Sequence, residues 1–375
     1  MLIKAPLVKN GIEKLHQEIT YFISQIATAQ SWSKKLFHTD FYDQVVSKNP
    51  KLEAHLKTFL KEFIKLPPSR QKEIIQEFTN YNAVSALCSS VDPVTSHWQD
   101  PSYLDFKKAA KDLFIFMYEK TLERDSYRKY TGESLRDHYI AYRGAYNLAM
   151  CPFCGLEDYK DVKDYKDVED YKDVYDELTT RDAYDHYLDK ARYPFAAVNP
   201  DNLFPMCHTC NSDTKGTQDV LHEDGTGNRR RAPYPPDNEF KILIEIDNAL
   251  EQDLKVSINL LDSSDIQEVE KFRTWLVVFQ IGQRYARRIR AKKQGWLANS
   301  VGMLSLATID TDLPQRLEAA CARCIVGLEI IPQSNKPLEV SFLNYCIAHA
   351  TSLIKLFQHD PSYARYLTDR TTVLR

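Results

Sequence analysis

A chain of 375 residues with 43% apolar and 27% charged side chains is long enough for two or three domains and too apolar for bulk disorder. Its formal net charge of -3 excludes a protein that clings to nucleic acid through its whole surface, so any such contact has to come from local basic patches. The opening stretch, Met1 to Pro6, lacks the apolar core of a secretory signal, and no uninterrupted apolar run is long enough to cross a bilayer, so a cytoplasmic protein is expected.

Residues 1–145 read as a helical N-terminal domain. Ile12, Leu15, Ile19, Phe22, Ile23 and Ile26 recur at helical spacing, as do Phe106, Ala110, Leu113 and Met117. Between them Pro67, Pro68 and Ser69 break the pattern and supply a cap for a helix carrying Ile74, Ile75 and Phe78. The region reads as a bundle and not as a catalytic centre.

Residues 146–236 differ in kind. Two Cys-x-x-Cys pairs, Cys151/Cys154 and Cys207/Cys210, bracket Asp185, His186 and Asn202, with Asn211 and Lys215 just beyond. Thiolates at that spacing reach one tetrahedral ion from a single turn, and two such knuckles complete a four-thiolate site with no open position. A structural Zn2+ is expected, joining the ends of a segment too small to build a large core of its own. The cysteine spacing by itself fits a zinc ribbon or a binding finger equally well. His208 lies between ligands as a spare donor, but four thiolates suffice. Cys88, Cys321, Cys324 and Cys346 read as buried thiols; Cys321 and Cys324 repeat the spacing, yet sit in a helical run with no second pair nearby. Between the knuckles a six-residue unit recurs as Asp158 to Lys163, Asp164 to Glu169 and Asp170 to Tyr175. It is too short for a solenoid and matches neither a strand nor a helix period, so it reads as a solvated surface loop, with an acidic arm that fends off DNA or recruits a partner as the rarer case. Arg229, Arg230 and Arg231 form a first basic segment, and Pro233, Pro235 and Pro236 behind them stop regular structure, which puts a linker and a boundary near residue 236.

Residues 237–375 read as a C-terminal domain. Phe240, Ile242, Ile244 and Ile246 alternate, and Leu254, Val256, Ile258 and Leu260 alternate again, which predicts a β-hairpin with one buried face. Ser264 to Gln267 resembles a capping box opening a helix through Val269, Phe272, Leu276 and Phe279, and helices continue from there. A second basic segment holds Arg284, Arg287, Arg288, Arg290, Lys292 and Lys293. Its first three arginines share a helical face, as a row of phosphate contacts needs, although a solvated charged face fits equally well.

The run from Tyr184 through Asp185 and His186, then Asn202 to Cys207, then Cys210, Asn211 and Lys215, resembles the HNH endonuclease family in its zinc-stapled ββα-metal form. The likeness covers residues 151–215. It implies a mainly α chain with a small α+β insert: a strand ending at Asp185 and His186, a loop holding Asn202, a second strand into Cys207 and a helix from near Cys210. Asp185 and Asn211 are then ligands of one catalytic Mg2+ or Mn2+, His186 is the general base, Asn202 braces the loop that orients it, and Lys215 helps to hold the phosphate. Asn211 stands where the family's name has a histidine, and Asp189 where many relatives carry proline. The resemblance implies cleavage of DNA, most plainly double-stranded, by a bacterial defence or mobile-element effector working with a separate ATPase or sensor protein. Two other readings share these residues: a catalytically degenerate zinc-dependent nucleic-acid-binding or scaffold protein, and an RNA-cutting toxin. A lone histidine is more often structural and lone asparagines usually serve turns, but jointly and in this order they favour catalysis.

Overall fold

The apolar spacing at the start of the chain closes into α1 (Gly11–Ile26), which buries Ile12, Leu15, Ile19, Phe22, Ile23 and Ile26 as one face. In the computed structural model, residues 2–9, 11–93, 103–146, 150–157, 184–249, 253–261, 264–302, 313–330 and 336–359 are described; the six-residue repeat lies outside them. Further helices are α2 (Pro50–Ile64), α3 (Pro68–Asn82), α4 (Val84–Ser89), α5 (Leu104–Phe116), α6 (Asp125–Thr131) and α7 (Leu135–Tyr146). The cap expected of Pro67 to Ser69 takes another form. Pro67 is the N-cap without a side-chain bond and Pro68 opens α3, where a missing N–H costs nothing. Gln71, one turn in, reaches back to the carbonyls of Phe63 and Leu66 at the C-terminal end of α2.

The small insert consists of β1 (Tyr184–His186) and β2 (Leu203–Pro205), antiparallel, with Asp185 opposite Phe204 and His186 opposite Leu203. A π-wound helical segment, Thr209–Lys215, follows. It stops at Gly216, whose positive φ of 47° is a conformation that an added Cβ resists. The loop between the strands is clamped to the N-terminal helices: Phe195 meets Phe78 and Phe114 edge-on at ring separations of 5.6 and 5.2 Å, and Tyr193 meets Tyr81 at 5.2 Å.

The predicted hairpin is β3 (Ile242–Asp247) and β4 (Lys255–Leu260), in register Ile244 to Ile258 and Ile246 to Val256. Ile244 and Ile246 are buried while Glu245 and Asp247 are exposed, the period-two pattern of a half-covered sheet. The capping box shifts by one residue: Asp265 caps Gln267 N at 2.9 Å and opens α8 (Ile266–Val278). Then come α9 (Ile281–Gly302), α10 (Leu313–Ile330), α11 (Lys336–Ala348) and α12 (Ala350–His359), with α11 packed on β3 and α9 on β4.

The arginine–proline segment expected as a linker is laced into its neighbours. Ala232 N donates to Cys88 O at 2.9 Å, Thr274 Oγ1 to Arg231 O at 2.6 Å, and Ala5 N to Pro235 O at 3.0 Å. Its prolines do stop regular structure, but their carbonyls serve as acceptors. One contiguous cluster of buried apolar side chains runs from Leu2 to Phe357. Among the described residues no single helix is long and apolar enough to cross a membrane.

Candidate functional site

Four thiols converge where the knuckles meet. Cys151 and Cys154 sit on a tight turn in which Gly155 N donates to Cys151 O at 2.9 Å, and Asn211 N donates to Cys207 O at 2.9 Å to close the second turn. All four sulfurs lie within 4.8 Å of one another, with Cys151 to Cys210 and Cys154 to Cys207 each 3.9 Å apart. A tetrahedral ion with Zn–S bonds of about 2.3 Å requires sulfur–sulfur edges of about 3.8 Å. The cage therefore fits such an ion. Burial pushes the thiols of Cys151 and Cys210 up, so neighbouring thiolates need a cation to be tenable. His208 is exposed and lies beside Asp213, away from the cluster's ligand set.

Arg284 provides one positive charge there. It is buried, with Nη1 donating to Cys210 Sγ at 3.1 Å and to Phe279 O at 3.4 Å. Burial works against its charge, yet the thiols around it, Cys210 first, hold the guanidinium more firmly protonated than usual. Neighbouring side chains cap the knuckle's backbone: Trp275 Nε1 donates to Phe153 O at 2.7 Å, Tyr285 to Cys154 O at 3.0 Å, and Arg288 to Leu156 O at 3.3 Å and Glu157 Oε1 at 2.5 Å. The arginines expected to form a row of phosphate contacts do not lie in one exposed row. Arg284 and Arg288 turn inward because sulfurs and orphan carbonyls attract them, and of the three only Arg287 is exposed. Arg290 and Lys293 likewise donate to Leu254 O and Ala249 O at 3.2 and 2.8 Å, fastening α9 to the hairpin.

The second knot of polar groups lies on β1. Lys215, the last residue of the helical segment, is 1% exposed and donates to Asp185 Oδ1 at 3.0 Å and to His186 O at 2.9 Å. Expected beside a phosphate, it lies here as the buried counter-charge of Asp185. Burial pushes the Asp185 carboxyl up, with Lys215 opposing, and Asp185 Oδ2 is buried without a hydrogen-bond partner. Asn211 lies four residues before Lys215 in the same segment and is half-buried.

His186 is 7% exposed, and its Nε2 is 3.0 Å from Ala197 O. A carbonyl only accepts, so Nε2 carries the hydrogen and Nδ1 keeps the lone pair. Burial first, and then Lys190, push its pKa down to about 3, so the ring is neutral at pH 7. The ring of Tyr118 meets it edge-on at 4.3 Å. Asn202, fully buried, accepts from Leu188 N at 2.7 Å and donates to Leu188 O and Ala196 O at 3.0 and 3.1 Å. It ties both ends of the loop whose Ala197 carbonyl holds His186. Asp189 shapes the same loop, its carbonyl accepting from Arg192 N and Tyr193 N and its carboxylate from Ala191 N.

Arg229, Arg230 and Arg231 are half-buried and reach back to the chain: Arg229 to Leu87 O at 2.6 Å, Arg230 to Asp219 O at 2.8 Å, Arg231 to Ser89 O at 2.9 Å and Glu270 at 2.5 Å. Asp219, absent from the sequence reading, is buried and accepts from Tyr193 at 2.8 Å and His222 at 2.9 Å. Tyr118, the Ala197 carbonyl and Asp219 carry no local signal, because their partners are distant in sequence or are backbone atoms. Comparison with protein-family models, with curated proteins and with solved structures returns no match.

Proposed function

We propose that the chain is a metal-dependent endonuclease of the HNH type, hydrolysing phosphodiester bonds in DNA. The observation that carries this reading is the pairing, on a two-stranded sheet beside a four-thiol cage, of a tautomer-fixed His186 with Asp185, whose Oδ2 is buried and unpartnered. The strand–strand–helix order of the insert supports the ββα-metal fold in particular.

His186 Nδ1 is the base that takes a proton from water, and Ala197 O holds the ring in place for it. Asn202 secures that carbonyl through the loop. The orphan oxygen of Asp185 fits a hard divalent cation, Mg2+ or Mn2+, and Asn211 is the second oxygen donor of the reading. When bound, such an ion stabilises the charge that develops on the phosphate and the leaving oxygen. A role in bacterial defence or in a mobile element, with a separate ATPase or sensor as partner, belongs to the same proposal.

One observation favours the degenerate, binding-only reading. Asp185 and His186 are 4% and 7% exposed, and Lys215 already occupies one carboxylate oxygen. Supercoiled plasmid incubated with Mg2+ or Mn2+, wild type beside His186→Ala, decides between them. Nicking or linearisation that falls at least about a hundredfold in the variant supports the nuclease; equal cleavage by both proteins removes His186 from the reaction, and cleavage by neither points to a required partner or to binding alone. RNA in place of plasmid identifies the substrate class.

A further inference from the structure

Outside the Asp185–His186 knot, the Arg229–Arg231 segment and α8 enclose an open cleft of about 310 Å³. Four guanidinium groups line it, those of Arg229, Arg230, Arg231 and Arg273, against two carboxylates, Glu223 and Glu270. Glu270 is bound to Arg231 at 2.5 Å, and Glu223 accepts from Thr226 at 3.1 Å. The hydrogen bonds of Arg229 and Arg230 go to backbone carbonyls alone, which orient the forks without neutralising them. Arg229 Nε is buried and unpartnered, and Arg273 is exposed with no hydrogen bond or ion pair among the described residues. Each guanidinium carries five N–H donors, so all four retain some to offer. Val91 and Val277, 39% and 62% exposed, add apolar surface to the lining.

We propose that this cleft is a phosphate-binding site, taking a phosphate ester whose organic part lies along Val91 and Val277. Planar forks held in advance match the oxygens of a phosphate, and the cations that line the cleft outnumber its carboxylates, with Asp219 and Asp224 near Arg230 only partly offsetting them. Burial also lowers the pKa of Arg229 and Arg230, the mark of charge held away from water without full compensation. The volume exceeds what a carboxylate needs and suits a mononucleotide-sized group. Two sources carry that chemistry: the backbone of a nucleic acid, or a free nucleotide. Neither Asp185 nor His186 lines the cleft, so the site stands whether or not the chain cuts DNA.

The test is calorimetric titration of the zinc-loaded full chain, without added Mg2+ or Mn2+, with inorganic phosphate, adenosine monophosphate and a short DNA duplex. Each probe is repeated on Arg273→Gln and on the double variant Arg230→Gln/Arg273→Gln. At least one probe is expected to bind, with affinity falling about tenfold in Arg273→Gln and further in the double variant. Duplex binding that phosphate competes away identifies the nucleic-acid source, and mononucleotide binding without duplex binding identifies the free one. Arg273 makes no hydrogen bond or ion pair among the described residues, so its variant keeps the test valid if loss of Arg230 disturbs folding. Absence of binding by all three probes, or equal binding by wild type and Arg273→Gln, overturns the proposal.

Discussion

Lys215 and Asp185 form an ion pair with side chains 1% and 5% exposed. Removing one partner leaves a buried charge alone, so Lys215→Met is expected to cost about 3–5 kcal/mol, read from urea unfolding, while the double variant with Asp185→Leu recovers much of it. Full additivity of the two single losses would show that the pair is not coupled. His16 makes the acid-side prediction. Its Nδ1 is buried without a partner, and burial, then Lys9, push its pKa down from about 6.5 to about 4. The unfolded chain then binds more protons between those values, so stability rises with pH through that window, is complete above it and is lost as pH falls toward 4. His16→Leu should flatten this slope by up to about tenfold in the folding constant per pH unit; an unchanged slope refutes the assignment. At this scale order and spacing singled out Asp185, His186 and Asn202, which the structure places on β1 and on the loop that follows it. Their partners were hidden, because Ala197 offers a backbone oxygen and Lys215 comes from another element.

Where elements meet, the four-thiol cage is the junction. Elemental analysis should find about one Zn2+ per chain, and Cys210→Ser should lose it. Arg284→Met removes the guanidinium from Cys210 Sγ, and a chelator-competition assay is expected to show zinc affinity weakened by about 10–100-fold. Unaltered affinity would mean that the contact serves packing alone. The cage itself was readable from cysteine spacing, and the hairpin from the alternation of Ile244 and Ile246 with Glu245 and Asp247. For the basic helix the sequence left the face open: Arg284 and Arg288 share it, but periodicity does not say whether that face meets solvent or sulfur.

Across the whole molecule, Phe153, Cys154 and Leu156 give their carbonyls to Trp275, Tyr285 and Arg288, so the knuckle and the C-terminal helices are built as one unit. Stripping zinc is therefore expected to expose α8 and α9 to protease and to speed their amide exchange, while α1 and α2 change little. Exchange accelerated only within residues 151–157 and 203–216 would show that the two parts do not depend on each other. By itself the sequence determined the helical bundle, the hairpin and the four-cysteine cage, since each follows from periodicity or from ligand spacing along a short stretch. Only the tertiary structure decided what the charges do. Buried Lys215 and Arg284 find partners on segments far off in sequence, Asp185 and Cys210, and a charge leaves water only where such partners are assembled around it.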